Sequence, residues 1–195
     1  MVEEVFESAA LKAEFNRNQL GGFRAIWELE APWFEAPNER RDGISGVVTY
    51  ELSAEDGAAI PLFIKRQSNH NTRTWAHPIR GIPTFRREFQ NIVHLRELGV
   101  KTLDVLYFGE ALADEGCLAI LVSRALVDYI ALDSWFRQSA NATDSERVKQ
   151  LLASLVTAIK PMHRRRIRHG CLYGKHIFVK EDLTGQGRQF DIRIL

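Results

Sequence analysis

Two β-branched runs facing each other across a turn constrain the fold of this chain more than any other feature. Residues 44–52 read Ile-Ser-Gly-Val-Val-Thr-Tyr-Glu-Leu and residues 60–65 read Ile-Pro-Leu-Phe-Ile-Lys, with Asp56-Gly57 between them. Branched and aromatic side chains fit a pleated, half-buried surface, and Asp-Gly supplies the backbone freedom of a tight turn. The spacing predicts an antiparallel hairpin.

Two further strands are predicted at residues 105–109 and 118–122. Between the hairpin and these strands, Phe85, Phe89, Ile92, Val93 and Leu95 recur at helical spacing, with Thr84 as the expected cap and Gly99 as the stop. Residues 69–83 hold turn formers and two prolines and predict a loop. Helices are predicted over residues 131–138 and 144–162, the second opened by Asp144 or Thr143. Near the start, Leu11 and Phe15 lie one turn apart, and Leu20-Gly21-Gly22 would end a short accessory helix over residues 8–18. The order of strands, one helix, strands and then helices predicts an α+β chain: an N-terminal accessory segment (1–24), a sheet-rich lobe (25–124) and a helical lobe (125–195), joined near residues 123–127.

With 195 residues, 45% hydrophobic, the chain can bury a core, so disorder is not expected. Its 26 basic and 25 acidic side chains leave a net charge of +1, too little for a global field toward nucleic acid or membrane. The basic run His163-Arg164-Arg165-Arg166-Ile167-Arg168-His169 is local. It reads either as a solvated helix end complementing the helix dipole or as a surface for an anionic substrate or membrane. No interleaved aromatic residues point to nucleic acid. Cys117 and Cys171 lack paired spacing, so neither a disulfide framework nor a cysteine-built zinc site is suggested, and a reducing compartment is the default. The acidic start does not resemble a signal peptide, and the longest apolar run, residues 117–122, cannot span a bilayer. A soluble, cytoplasmic protein is expected. Trp27, Trp33, Trp75 and Trp135 are dispersed and read as packing residues.

Four features carry chemistry. Gly43 and Gly46, in Arg41-Asp42-Gly43-Ile44-Ser45-Gly46, would let backbone amides approach phosphate oxygens, although glycines are also common in hairpin turns. Lys65 ends a predicted strand. Glu88 follows it by 23 residues on the helix whose core face is Phe85, Phe89 and Ile92, with Glu97 a competing partner. The alternative for both charges is a solvated surface position. The fourth feature is His169-Gly170-Cys171-Leu172-Tyr173-Gly174-Lys175-His176, followed by the apolar Ile177-Phe178-Val179, which would pair with residues 190–195.

Taken in this order, the chain resembles the protein-kinase-like phosphotransferases, and within them the InaA/WaaP family of lipopolysaccharide core kinases, which includes Kdo and heptose kinases. The matching pieces are the glycine turn, Phe63-Ile64-Lys65, Arg86-Arg87-Glu88-Phe89, Leu98-Gly99-Val100 and Leu172-Tyr173-x-x-His176, and the resemblance covers residues 25–195. It implies a bilobal kinase-like fold and transfer of a phosphoryl group from ATP, with Mg, to a sugar hydroxyl of the lipopolysaccharide core or another anionic acceptor. It also implies a peripheral site of action on the inner face of the inner membrane. By resemblance, Lys65 binds the ATP phosphates, Glu88 orients it, and Gly43 and Gly46 cover the phosphates. Ser123 and Leu126 form the adenine hinge, His169 belongs to the catalytic loop, and His176 stands near the metal.

Two departures follow. Cys171 occupies the position of the usual aspartate base, and a thiol is a poor replacement. The family would next place a metal-binding aspartate after Leu195, so the helical lobe is expected to be truncated at its C-terminal end. The same fold without its base would be a pseudokinase, a nucleotide- or partner-binding module. For Cys171 itself a buried, purely structural place is the plain expectation, and for His169 a hold on the loop backbone. A metal site from His163, His169, Cys171 and His176 matches no zinc spacing.

Overall fold

A computed structural model describes residues 2–40, 43–73, 75, 78–79, 81–113, 116–138, 144–184 and 187–195. The chain divides into two compact units, Met1–Asn91 with Asp104–Ala125, and Ile92–Leu103 with Leu126–Leu195.

The first unit is built on a six-stranded antiparallel sheet. Its strands are β1 (Val2–Phe6), β2 (Trp33–Arg40), β3 (Gly43–Ser53), β4 (Ala59–Ser68), β7 (Val105–Ala113) and β8 (Gly116–Arg124), in the order β1-β7-β8-β4-β3-β2. The predicted hairpin is β3 and β4, with Val47 opposite Lys65 and Thr49 opposite Phe63. Side chains alternate across a strand. Leu62 and Ile64 therefore point to one face, where they join Val48, Leu52, Leu106, Tyr107, Ile120 and Val122 in the core. Helices α1 (Ala9–Arg17) and α2 (Phe23–Glu28) cover that face with Leu11, Phe15, Phe23 and Ile26.

The segment 2–18, expected as an accessory, is thus part of this core. Ser8 caps α1 by accepting from the Leu11 amide. At the other end the Asn18 side chain donates to the Ser53 carbonyl and accepts from the Ser53 amide. Phe15 is fully buried. Two strands of this sheet escaped the sequence reading. β1 carries no regular alternation and β2 contains a proline, and each forms an edge of the sheet, where exposed polar side chains are tolerated.

The loop expected at residues 69–83 contains a short two-stranded ribbon, β5 (Asn71–Thr72) with β6 (Ile82–Pro83). Helix α3 (Thr84–Glu97) follows directly, and Thr84 is its first helical residue rather than a preceding cap. The Thr84 hydroxyl donates to the His70 carbonyl at 2.8 Å. Of the four tryptophans, Trp135 is buried and Trp27 packs on the first core, but Trp33 and Trp75 are exposed, contrary to the packing expectation.

The second unit packs helices α4 (Leu132–Arg137) and α5 (Ser145–Arg164) with a three-stranded sheet of β9 (Ile130–Ala131), β10 (Ile177–Thr184) and β11 (Gly187–Ile194). The expected pairing of 177–179 with 190–195 is present, with Ile177 opposite Ile194. Trp135, Leu151, Ile177, Val179, Phe190 and Ile192 form one core, and Leu95, Val100, Met162 and Ile194 another. Asp144 caps α5 by accepting from the Glu146 and Arg147 amides, while Thr143 lies outside the described residues. Among the described residues no helix is long and apolar enough to cross a membrane.

Candidate functional site

Lys65 lies on β4 between the buried Ile64 and the half-buried Arg66, so strand alternation turns it away from the core covered by α1 and α2. Its Nζ meets Glu88 Oε1 at 2.6 Å, and the two side chains retain only 19% and 26% of their exposure. The helix carrying Glu88 is held in place by the sheet. Buried Gln67, two residues beyond Lys65 on the same face, accepts from the Phe85 amide at 2.8 Å and donates to the His70 carbonyl at 2.8 Å. Phe89 stacks on Phe108 at 4.6 Å, and Arg86 binds Glu110 on β7 and Glu3 on β1. An ammonium group has three donors and one goes to Glu88, so the others remain suited to an anionic oxygen. The competing carboxylate, Glu97, instead lies 3.7 Å from His94. Sequence reading missed Gln67; a polar residue two positions beyond Lys65 on the same strand face was the available signal.

Arg66 shows why Lys65, not its neighbour, suits a ligand. Its guanidinium donates to the Leu29 carbonyl, and burial pulls its pKa down. On the same core side, Tyr107 holds its phenol proton well above the usual range because it is buried and sits beside Glu4, to which it donates.

Gly43 and Gly46 lie on β3, and Arg41-Asp42, which precede them in the chain, are outside the described residues. A Cβ at Gly43 would come within 2.7–2.8 Å of the Asn69 and His70 backbone, and one at Gly46 within 2.6 Å of the Trp33 ring. Packing alone therefore supplies a reason for both glycines. Ser123 is buried on β8, opposite Phe63 and Val105, and Leu126 is half-buried just beyond that strand. Around them, the Arg124 amide donates to the Asp104 carbonyl and the Ala125 amide to the Pro61 carbonyl.

In the second unit, residues 169–176 form a loop closed by backbone contacts. The His169 Nδ1 accepts from the Cys171 amide at 3.3 Å, so this histidine does hold the loop backbone. His176 Nδ1 lies 2.5 Å from the Cys171 carbonyl. A carbonyl oxygen only accepts, so Nδ1 of His176 is the donor in this contact. The opposite holds at His169, where Nδ1 accepts. The His176 amide donates to the Tyr173 carbonyl, closing a 3-10 turn over Gly174–His176, and the Leu195 amide donates to the His176 carbonyl. Against expectation, Cys171 is exposed. Its backbone anchors the loop while its thiol meets solvent. Gly174 lies against Asp133, whose Cβ a side chain at Gly174 would meet at 3.1 Å. Asp133, which sequence reading did not single out, lies beside the loop, and its carboxylate accepts from the Ser134 amide and the Arg137 guanidinium on its own helix.

Lys160, Arg164, Arg165, Arg166, Arg168 and Lys175 are exposed, and among the described residues none of them is in an ion pair. From residue 147 to 180 there are nine Lys and Arg and no Asp or Glu.

Magnesium takes oxygen ligands in near-octahedral geometry. Among the described residues no three His, Cys, Asp or Glu side chains converge on a metal position, and His176 offers nitrogen. The described residues do not by themselves fit a magnesium site.

The pattern of the lipopolysaccharide kinase (Kdo/WaaP) family matches residues 24–192. Protein InaA of Escherichia coli (strain K12) is 34% identical over 172 residues, covering 87% of this chain and 76% of that protein. The solved structure of WaaP in complex with acyl carrier protein superposes with a TM-score of 0.66 at 19% identity, covering 98% of this chain and 69% of that one. This shared fold is the protein-kinase-like fold expected from the sequence.

Proposed function

Because the chain belongs to the lipopolysaccharide kinase (Kdo/WaaP) family, we propose that it is an ATP-dependent phosphotransferase acting on a sugar hydroxyl of the lipopolysaccharide core. The observation that carries this reading is the Lys65–Glu88 ion pair at 2.6 Å, a half-buried ammonium oriented by a helix carboxylate beside a sheet. Phosphoryl transfer asks mainly for positioning and charge neutralisation. Lys65 supplies both for the phosphate oxygens, and Glu88 keeps its ammonium aimed. Magnesium would enter held chiefly by the nucleotide phosphates and water. The acceptor oxygen bonds to the terminal phosphorus, the bridging oxygen leaves with ADP, and the hydroxyl proton passes to solvent or to a nearby acceptor. The exposed cations at 164–168 would attract an anionic glycan at the cytoplasmic membrane face.

Cys171 favours a second reading. An exposed thiol at the base position, its backbone spent on the loop, suits a pseudokinase that binds nucleotide without turnover. Turnover of Mg-ATP with core-sugar acceptors tests both. The phosphotransferase reading expects activity that Lys65→Ala lowers at least ~100-fold, a loss comparable to removing one electrostatic stabiliser, and that Cys171→Asp raises. ATP-induced thermal stabilisation without turnover, for the wild type and Cys171→Asp alike, would leave the binding-module reading in its place.

A further inference from the structure

We infer that Gln67 is a positioning residue for phosphoryl transfer: it caps helix α3 from strand β4 and so keeps Glu88 against Lys65. The inference rests on the phosphotransferase reading of Lys65 given above. It begins at the start of α3, where the first amides have no partner within the helix and need an acceptor from elsewhere. A preceding serine, threonine, aspartate or asparagine ordinarily supplies one. Here the preceding residue is Pro83, which has no side-chain acceptor, and the Thr84 hydroxyl is turned to the His70 carbonyl at 2.8 Å. The Thr84 amide donates to the same carbonyl at 3.1 Å, and the Phe85 amide donates at 2.8 Å to Gln67 Oε1, 18 residues away on the sheet. Gln67 is 1% exposed, and its Nε2 donates to the His70 carbonyl at 2.8 Å. A side chain so enclosed meets no ligand and acts through what it holds.

Gln67 and Lys65 stand on the same face of β4, one strand repeat or about 7 Å apart, and their partners Phe85 and Glu88 stand roughly 5 Å apart along α3. The helix is thus tied to the strand at two successive points, 67 to 85 and 65 to 88. Its other contacts, Phe89 on Phe108 and Arg86 with Glu110, tie it to β7. A helix that tilted away from β4 to release Lys65 would draw the Phe85 amide off its acceptor, and an unmade buried hydrogen bond is strongly unfavourable. Each tie therefore guards the other. Without the Gln67 oxygen, the Phe85 amide regains a partner only by moving toward water, and that movement carries Glu88 with it.

Two readouts on the full chain test the inference: acylation of Lys65 by N-hydroxysuccinimidyl acetate, followed by peptide mass spectrometry, and turnover of Mg-ATP with a core-sugar acceptor. Gln67→Met keeps the side-chain volume and removes both hydrogen bonds. With its fold checked by circular dichroism, it should raise Lys65 acylation at least ~threefold and lower kcat/KM for ATP ~tenfold, with KM for the sugar unchanged. Glu88→Gln should do the same, and in the Glu88→Gln background Gln67→Met should add less than about twofold to either readout, because both substitutions break one device. Full additivity in the double variant overturns the inference, as does unchanged Lys65 acylation in a folded Gln67→Met. Should Gln67→Met fail to fold, the parent protein supplies the measurement. In urea below its unfolding transition, hydrogen exchange of the Phe85 amide and acylation of Lys65 should rise in parallel, since one local opening exposes both; exchange that rises alone overturns the inference as well. A parent that shows this coupling but turns over no ATP removes the phosphotransferase reading and with it the part of Gln67 in catalysis, and leaves its hold on Lys65 standing.

Discussion

Asp191 receives Lys101 Nζ at 2.7 Å and Tyr129 Oη at 2.5 Å, with Arg193 at 3.9 Å. Partial burial acts to raise its pKa, but the hydrogen bonds from Lys101 and Tyr129 outweigh it, so the carboxyl sits below the usual range. A depressed folded pKa means that the contribution to stability is present above the unfolded value near ~3.9 and is lost as pH falls through the lower folded value. Asp191→Asn should therefore cost about 1–2 kcal/mol at pH 7, discounted for the pair's exposure, or ~2–6 °C in thermal midpoint. Midpoints measured from pH 7 to 2 should converge at the acid end; a constant offset would show that charge is not the cause. At this scale the sequence was informative where a period governed it. Lys65 and Glu88 were legible because one side chain follows a strand repeat and the other a helix repeat, and both repeats are visible. Cys171 was not, because burial in an irregular loop follows no period, and a thiol read as buried meets solvent. The packing need for Gly46 was equally hidden, since the ring that covers it comes from Trp33 on another strand.

Elements were legible in proportion to their apolar contrast. β3, β4, β7, β8, α3 and α5 carry dense hydrophobic patterns, and their predicted positions agree with the structure to within a few residues. β1 and β2 do not, because edge strands satisfy the sheet through backbone hydrogen bonds and leave their side chains to solvent. The consequence for stability lies in α1. Phe15 is fully buried and packs edge-on against Phe6 at 5.5 Å, so the N-terminal segment supplies core to the first unit. Phe15→Ala should destabilise by about 3–5 kcal/mol in urea unfolding, the usual effect of removing a core phenyl ring. An effect under ~1 kcal/mol would return residues 1–24 to the accessory role read from the sequence.

Across the whole molecule, a net charge of +1 conceals segregation: residues 147–180 hold nine of the 26 basic side chains and none of the 25 acidic ones. Exposed cations near an anionic surface contribute about 1 kcal/mol each and are screened by salt. Replacing Arg164, Arg165 and Arg168 by Gln should weaken sedimentation with phosphatidylglycerol vesicles at least ~tenfold at low salt and flatten its salt dependence; equal binding by the variant would leave these arginines as a solvated helix end. Because the remaining residues carry 17 basic and 25 acidic side chains, the chain presents both signs strongly at one pH. Near neutral pH and low ionic strength it should be retained on sulfonate and quaternary-amine chromatography resins alike, a behaviour that its isoelectric point alone would not announce.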